Sequence, residues 1–262
     1  MRIRSGYGLG DNIYLQSVAR YYFEQGLRPV ICTDYPDVFF PLRQYAPVIE
    51  KFSKKNATAV HYTRGKKNKR TNQFQDCCDS VGIPHIVLNL GWEITDKALV
   101  ANVRAAAKGK PVMIVQMPRP PMDRTDGFGS ELAPDYAKMD EILKEAVAAG
   151  WFTVQIGKGK PSYELQHLCL AMQNRTTIRQ LLDLICDCDA AIGQVSFLAP
   201  ACQGMNKPVL LLFSQAGLDS REPFISCITP TKIKVKETDF CLLDSDPEYL
   251  AKAKEWMKSL SS

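Results

Sequence analysis

No apolar run in this sequence approaches the ~18 residues that a membrane-crossing helix requires, so a helical span is excluded. Met1 leads straight into a strand-like segment without the apolar stretch of a secretory signal, and a cytoplasmic protein is expected. Histidine is scarce: His61, His85 and His167 stand apart and form no H-E-x-x-H cluster. The nine cysteines are odd in number and lie mostly inside apolar runs (Cys32, Cys169, Cys202, Cys241), as buried thiols in a reducing compartment do. Cys77-Cys78 and Cys186-Asp187-Cys188 lack a second pair at zinc spacing, so no metal site is expected. A Walker A loop is also missing. The net charge of +5 allows an anionic partner without demanding one.

What the chain does have is a core: 45% of its 262 residues are hydrophobic, enough for one or two α/β domains. Its most informative stretch runs from Arg2 to Tyr22, RIRSGYGLGDNIYLQSVARYY. This predicts a short strand, a glycine-rich turn (Gly6, Gly8, Gly10) and an amphipathic helix. Leu15, Val18, Ala19 and Tyr22 recur at helical spacing, and Gly26 suits the position just past the helix end. Asp11 is expected at the helix N-cap, at the carboxyl end of a parallel strand, where α/β folds bind ligands. An Asp there can simply cap the helix. Alternatively, the turn is a variant dinucleotide site with Asp34 on a ribose, although the glycines run G-x-G-x-G and Asp11 stands where the third glycine of G-x-G-x-x-G belongs.

Further along, Pro29–Thr33, Ala57–Tyr62 and His85–Leu90 read as strands, Gln73–Val81 and Ala98–Ala107 as helices. The basic run RGKKNKR (Arg64, Lys66, Lys67, Lys69, Arg70) reads either as a solvated loop or as a patch for phosphates. Pro111–Met117 opens a second half as an apolar strand, followed by a Pro- and Gly-rich loop carrying Arg119, Asp123, Arg124 and Asp126. Trp151–Ile156 is a strand, and its exit turn holds Gly157, Lys158, Gly159 and Lys160, suited to a phosphate. A helix over Thr177–Asp187, a strand over Ala190–Gly193, a turn Gln194-Val195-Ser196, a helix over Phe197–Gly204 and a strand over Pro208–Phe213 follow. Ser196 is the expected cap of that helix, whose start could face an anion.

Two stretches together resemble the heptosyltransferase-type glycosyltransferases (glycosyltransferase family 9). Gly8-Leu9-Gly10-Asp11 with its apolar helix is similar to the start of that family. The run CDAAIGQVSFLAPACQGMNKPVLLLF keeps the framework of its donor-binding segment at Asp189, Ile192, Gly193, Ser196, Lys207 and Pro208. The family's D-[ST]-G-x-x-H motif reads here Val195-Ser196-Phe197-Leu198-Ala199-Pro200, without its Asp, Gly and His. The resemblance implies an α/β, GT-B-like fold of two Rossmann-like parallel-sheet halves facing across a cleft. The expected division is an acceptor-side domain over 1–109, a nucleotide-sugar domain over 110–245, and a C-terminal helix over 246–262 packing back on the first domain.

The resemblance also implies transfer of a sugar from a nucleotide-sugar co-substrate to an acceptor hydroxyl, with inversion, no metal and no further cofactor. Asp11 would be the general base. Gly8, Gly10, Gly157, Lys158, Lys160, Gly193, Gln194 and Ser196 would bind the donor. The acceptor would be a glycan or a hydroxymethylated base in DNA, the latter suited to the Arg64–Arg70 patch. A non-catalytic nucleotide- or glycan-binding module and a Rossmann oxidoreductase are the other readings.

Overall fold

In a computed structural model, residues 1–6, 8–62, 71–118, 133–157, 169–219, 229–236 and 239–260 are described. The elements are β1 (Arg2–Arg4), α1 (Leu9–Glu24), β2 (Val30–Cys32), a 3-10 helix (Pro36–Tyr45), β3 (Val48–Glu50), β4 (Thr58–Ala59), α2 (Gln73–Ser80) and α3 (Lys97–Ala107). They continue with β5 (Val112–Gln116), α4 (Tyr136–Ala148), β6 (Phe152–Gln155), β7 (Cys169–Ala171), α5 (Ile178–Asp187), β8 (Ala190–Gln194) and α6 (Leu198–Gly204). Last come β9 (Val209–Phe213), α7 (Gln215–Asp219), α8 (Pro230–Ile233), β10 (Asp239–Leu243) and α9 (Tyr249–Ser259).

The strands form two all-parallel sheets, β3-β2-β1-β4 and β10-β9-β8-β5-β6-β7. Parallel sheets are covered on both faces, which is why β5 and β9 are continuous apolar runs buried along their length. Side chains of β5 alternate between faces: Val112 and Ile114 join one core, Met113 and Val115 the other. The first of these cores is shared with Ile3, Ile13, Leu15 and Val18, so the two halves meet through a common apolar layer.

Helix α1 buries Leu15, Val18, Ala19 and Tyr22, the predicted stripe. It ends in a Schellman motif: Gly26, at φ +77°, donates to the Phe23 carbonyl and Leu27 to that of Tyr22.

Two sequence expectations are corrected. His85–Leu90 is not a strand. Leu88 and Leu90 are buried in alternation, but the backbone is satisfied by other groups: Leu90 N–H donates to the Gly204 carbonyl at 2.9 Å, and Gln16 Nε2 donates to the Leu90 carbonyl at 2.9 Å. A backbone carbonyl of α6 and a side chain of α1 thus stand in for a neighbouring strand. The helix α3, with which the first domain is expected to end at residue 109, is also tied to α5 of the second half. Arg104 Nε bonds Asp187 and its NH1 bonds Asp189, each at 2.6 Å, and Gln180 Nε2 donates to Asp96 Oδ2 at 2.9 Å. The C-terminal helix α9 does not return to the first half. Ala253, Trp256 and Met257 share a core with Met139, Ile142 and Leu143 of α4, and Lys254 pairs with Glu145 at 2.8 Å. Its physical reason is the short link from β10, an edge strand of the second sheet, which was not anticipated from sequence.

Candidate active site

The glycine-rich turn leaves β1 through Ser5 and Gly6 and enters α1 at Gly8, whose extended backbone (φ −82°, ψ 155°) makes it the N-cap. Asp11 therefore stands at the third helical position rather than at the N-cap expected for it. Its carboxylate folds back over the turn, accepting the Gly8 N–H at Oδ2 at 3.1 Å. A Cβ at Gly6 would lie 2.3 Å from Asp11 Oδ2, so the carboxylate occupies the space that a side chain on Gly6 would fill. The free N–H groups of the helix start favour its anion.

Asn12, which the sequence reading passed over, fixes this turn. It is buried; its Nδ2 donates to the Gly8 carbonyl at 2.8 Å, and its Oδ1 accepts from Thr33 Oγ1 at 2.6 Å. Thr33 Oγ1 in turn accepts the Tyr35 N–H at 2.8 Å, so the exits of β1 and β2 are tied together. One turn along α1, Tyr14 is buried and its hydroxyl donates to Gln73 Oε1 at 3.2 Å. Burial raises the Tyr14 hydroxyl well above its ordinary range, with Cys77, Tyr62 and Asp11 adding to the effect, so it stays a neutral donor. Asp34 is exposed beyond the exit of β2.

Across the junction, the carboxyl ends of β5, β6 and β8 bring together Gln116, Gly157, Gly193 and Ser196. Gly157 has φ +117°, a conformation for glycine. A Cβ on Gly193 would meet Leu198 Cδ2 at 2.7 Å and Gln116 Cβ at 3.1 Å. Gln194 ends β8 half-buried. Ser196 Oγ donates to Gln116 Oε1 and accepts the Leu198 N–H at 3.2 Å. The N-cap of α6 is Phe197 by backbone position, with Ser196 supplying the capping oxygen. Gln116 is the second residue missed from sequence; a polar residue ending a buried apolar strand was the available signal. Lys158, Lys160 and the Arg64–Arg70 run (Lys66, Lys67, Lys69, Arg70) lie outside the described residues, as do Arg119, Asp123, Arg124 and Asp126.

The two turns touch. A Cβ on Gly10 would lie 3.3 Å from Phe197 Cα and 3.4 Å from Pro200 Cγ, so the start of α1 is seated against the start of α6. Gly8, Gly10 and Asp11 thus lie on the first half's side of this contact, and Ser196 on the second's.

Among the described residues no three His, Cys, Asp or Glu side chains are grouped to hold a metal. Two D-x-D triplets occur, and their carboxylates are engaged. Asp187 and Asp189 bind Arg104, Asp244 accepts the backbone N–H groups of Asp135 and Gln215, and Asp246 pairs with Lys252. Burial is the chief cause that raises the thiols of Cys77, Cys78, Cys169, Cys186, Cys188, Cys202 and Cys241, those of Cys188 and Cys241 to about 12. They are inert at neutral pH. No helix among the described residues is long and apolar enough to cross a membrane.

Two parallel-sheet halves that meet through the turns at their strand exits define a GT-B-like fold. The same architecture is found in a family 9 glycosyltransferase from Veillonella parvula, at TM-score 0.63 and 10% identity over 99% of this chain and 96% of that one. The E. coli ADP-heptose LPS heptosyltransferase II matches at TM-score 0.58 and 13% identity, over 99% and 97% of the two chains. The E. coli heptosyltransferase WaaC, solved with ADP, matches at TM-score 0.52 and 8% identity, over 100% and 98%. No protein-family model matches the sequence. No curated protein sequence matches it significantly.

Proposed function

We propose that this chain is a glycosyltransferase that moves a sugar from a nucleotide-sugar donor to an acceptor hydroxyl, with Asp11 as general base. The observation that carries the reading is the position of Asp11: a half-buried carboxylate on a strand-exit turn, next to the Gly10–Phe197 contact between two Rossmann-like halves. Acceptors and donors meet between the halves of such folds, and the structural neighbours include an enzyme of ADP-heptose. Asp11 would take the acceptor proton as the oxygen attacks the anomeric carbon, on the face opposite the departing diphosphate, which inverts that carbon. Because the helix start stabilises its anion, proton transfer comes late in the step. The reading needs no metal and no cofactor besides the nucleotide-sugar. The second half takes the nucleotide at the strand exits that carry Gly157, Gly193, Gln194 and Ser196, with Lys158 and Lys160 supplying charge, and the first takes the acceptor.

The acceptor is a glycan or a hydroxymethylated base in DNA; the Arg64–Arg70 run supports the second. Charge reversal of Lys66, Lys67 and Lys69 removes DNA binding in that case and leaves it unchanged otherwise. The described cysteines are all free thiols, in keeping with a cytoplasmic site of action. The altered donor motif supports a second reading, a binding module that has lost catalysis.

A thermal-shift screen against UDP-, GDP-, ADP- and CMP-sugars tests the donor, since a bound ligand raises apparent stability by mass action. Transfer assays then separate the readings. Asp11→Asn keeps an oxygen for the Gly8 N–H, so it should bind donor normally while transfer falls about 10²- to 10⁴-fold. Equal transfer by wild type and Asp11→Asn removes Asp11 as base; donor binding without transfer by the wild type favours the module.

A further inference from the structure

The geometry points to Gln116 as the residue that donates a hydrogen bond to the donor's diphosphate, an assignment that rests on the glycosyl-transfer reading above. The inventory of the strand-exit cluster leads there. Ser196, the expected phosphate-binding hydroxyl, has spent its proton on Gln116 Oε1 and one lone pair on the Leu198 N–H. A serine hydroxyl has a single proton to give. The Leu198 N–H, the amide best placed at the start of α6, is therefore already capped. Neither group is available to an incoming anion.

Gln116 is more than nine-tenths buried, at 8% exposure, and is held from three sides. Its Cβ lies against Gly193, its Cγ faces Gly157, and its Oε1 takes the Ser196 proton. The side-chain amide is thereby fixed with its acceptor turned toward Ser196. The Nε2 group, with two protons, forms no hydrogen bond among the described residues and is not one of the enclosed unpaired atoms. An amide NH₂ in a largely buried site costs free energy unless a partner arrives. It sits at the carboxyl end of β5, central in its sheet, where open α/β sheets bind ligands. Both neighbouring strand exits carry glycine, so no Cβ screens it. Ser196 then acts as a positioning residue: it orients the amide and does not itself meet the ligand.

Three variants test this, with ADP, UDP and GDP as probes in calorimetric titrations, and ligand-free melting and circular dichroism as controls of folding. Gln116→Met keeps the volume and loses the donor; nucleoside diphosphate binding should weaken severalfold. Gln116→Glu keeps the shape and places an anion against the phosphates; binding should weaken at least tenfold, and more than in the Met variant. Ser196→Ala should weaken binding less than either, because the amide is still present but no longer oriented. A folded Gln116→Glu that binds the diphosphates as the wild type does overturns the assignment, and so does equal loss in Glu and Met, which would mark a packing role. If the wild-type chain binds none of the three nucleotides, the transfer reading fails and takes this one with it; wild-type binding untouched by the variants removes only the role of Gln116.

Discussion

Gly10 and Phe197 face each other across the two halves, 187 positions apart in sequence, and pack tightly: a Cβ on Gly10 would stand 3.3 Å from Phe197 Cα. The helix starts that carry the candidate base and the candidate nucleotide turn are therefore in register through backbone contact. Loops on each half need not find one another; the glycine sets their spacing.

Gly6→Ala separates geometry from stability. The new methyl would lie 2.3 Å from Asp11 Oδ2, and the atom that must yield is the far end of a side chain. The fold should tolerate this, with melting close to wild type. The carboxylate, displaced by an ångström or more, should lose about a hundredfold in transfer rate, as misplaced catalytic groups do. A variant that melts much lower, or transfers normally, contradicts this account of the turn.

Asp183 is a buried polar anchor of the link between the halves. Its buried carboxylate accepts from Trp92 Nε1 at 2.7 Å, Thr95 N at 2.9 Å, Thr95 Oγ1 at 2.7 Å and Asp96 N at 2.8 Å. Asp183→Ala leaves several of these donors buried and unpaired, at about 1–3 kcal/mol for each. Urea denaturation should show a loss of about 3 kcal/mol or more, and Asp183→Asn a smaller one. A loss below about 1 kcal/mol would mean that the link is not held here.

Much of the fold was legible because parallel strands buried on both faces announce themselves as apolar runs. β5 and β9 were found that way, and the α1 stripe by its period. The segment His85–Leu90 reads as a strand because Leu88 and Leu90 alternate like one, while the backbone partners of Leu90 are the distant Gln16, Arg20 and Gly204. The edge strand β10 is a short apolar run, Phe240–Leu243, set between the charged segments KVKETD and DSDPE, and without it α9 had no visible partner. At the site, Asp11 and the glycines could be read locally. Asn12 and Gln116 could not, since their meaning lies in contacts with Thr33 and Ser196.

Asp189 sets an acid limit of known sign. Burial opposes its ionisation, but the Arg104 hydrogen bond, the Val112 N–H and the charges of Arg104 and Lys207 outweigh that and hold its carboxyl below the usual range. A depressed carboxyl stabilises the fold above its unfolded value of about 4 and loses that contribution as pH falls through the folded value. Melting of wild type and Asp189→Asn should differ by a constant margin at pH 6–7, and the margin should shrink below about pH 4. The effect is modest, because the side chain is 41% exposed and screened. A margin that widens on acidification has the wrong sign.

Lys232 and Asp76 form a buried pair between α8 of the second half and α2 of the first, at 2.7 Å with side-chain exposures of 9% and 7%. Thr71 completes it, donating to Asp76 Oδ1 at 2.6 Å and accepting from Lys232 at 3.2 Å. Desolvating two charges offsets most of their attraction, so the intact pair adds little net stability, whereas either charge alone is left stranded. Asp76→Leu or Lys232→Met should each cost about 3–5 kcal/mol, and the two together should recover most of that loss. Denaturant titrations of the four chains give the coupling directly. If the double variant is as unstable as the sum of the single ones, the two groups act independently and the halves are not joined through this pair.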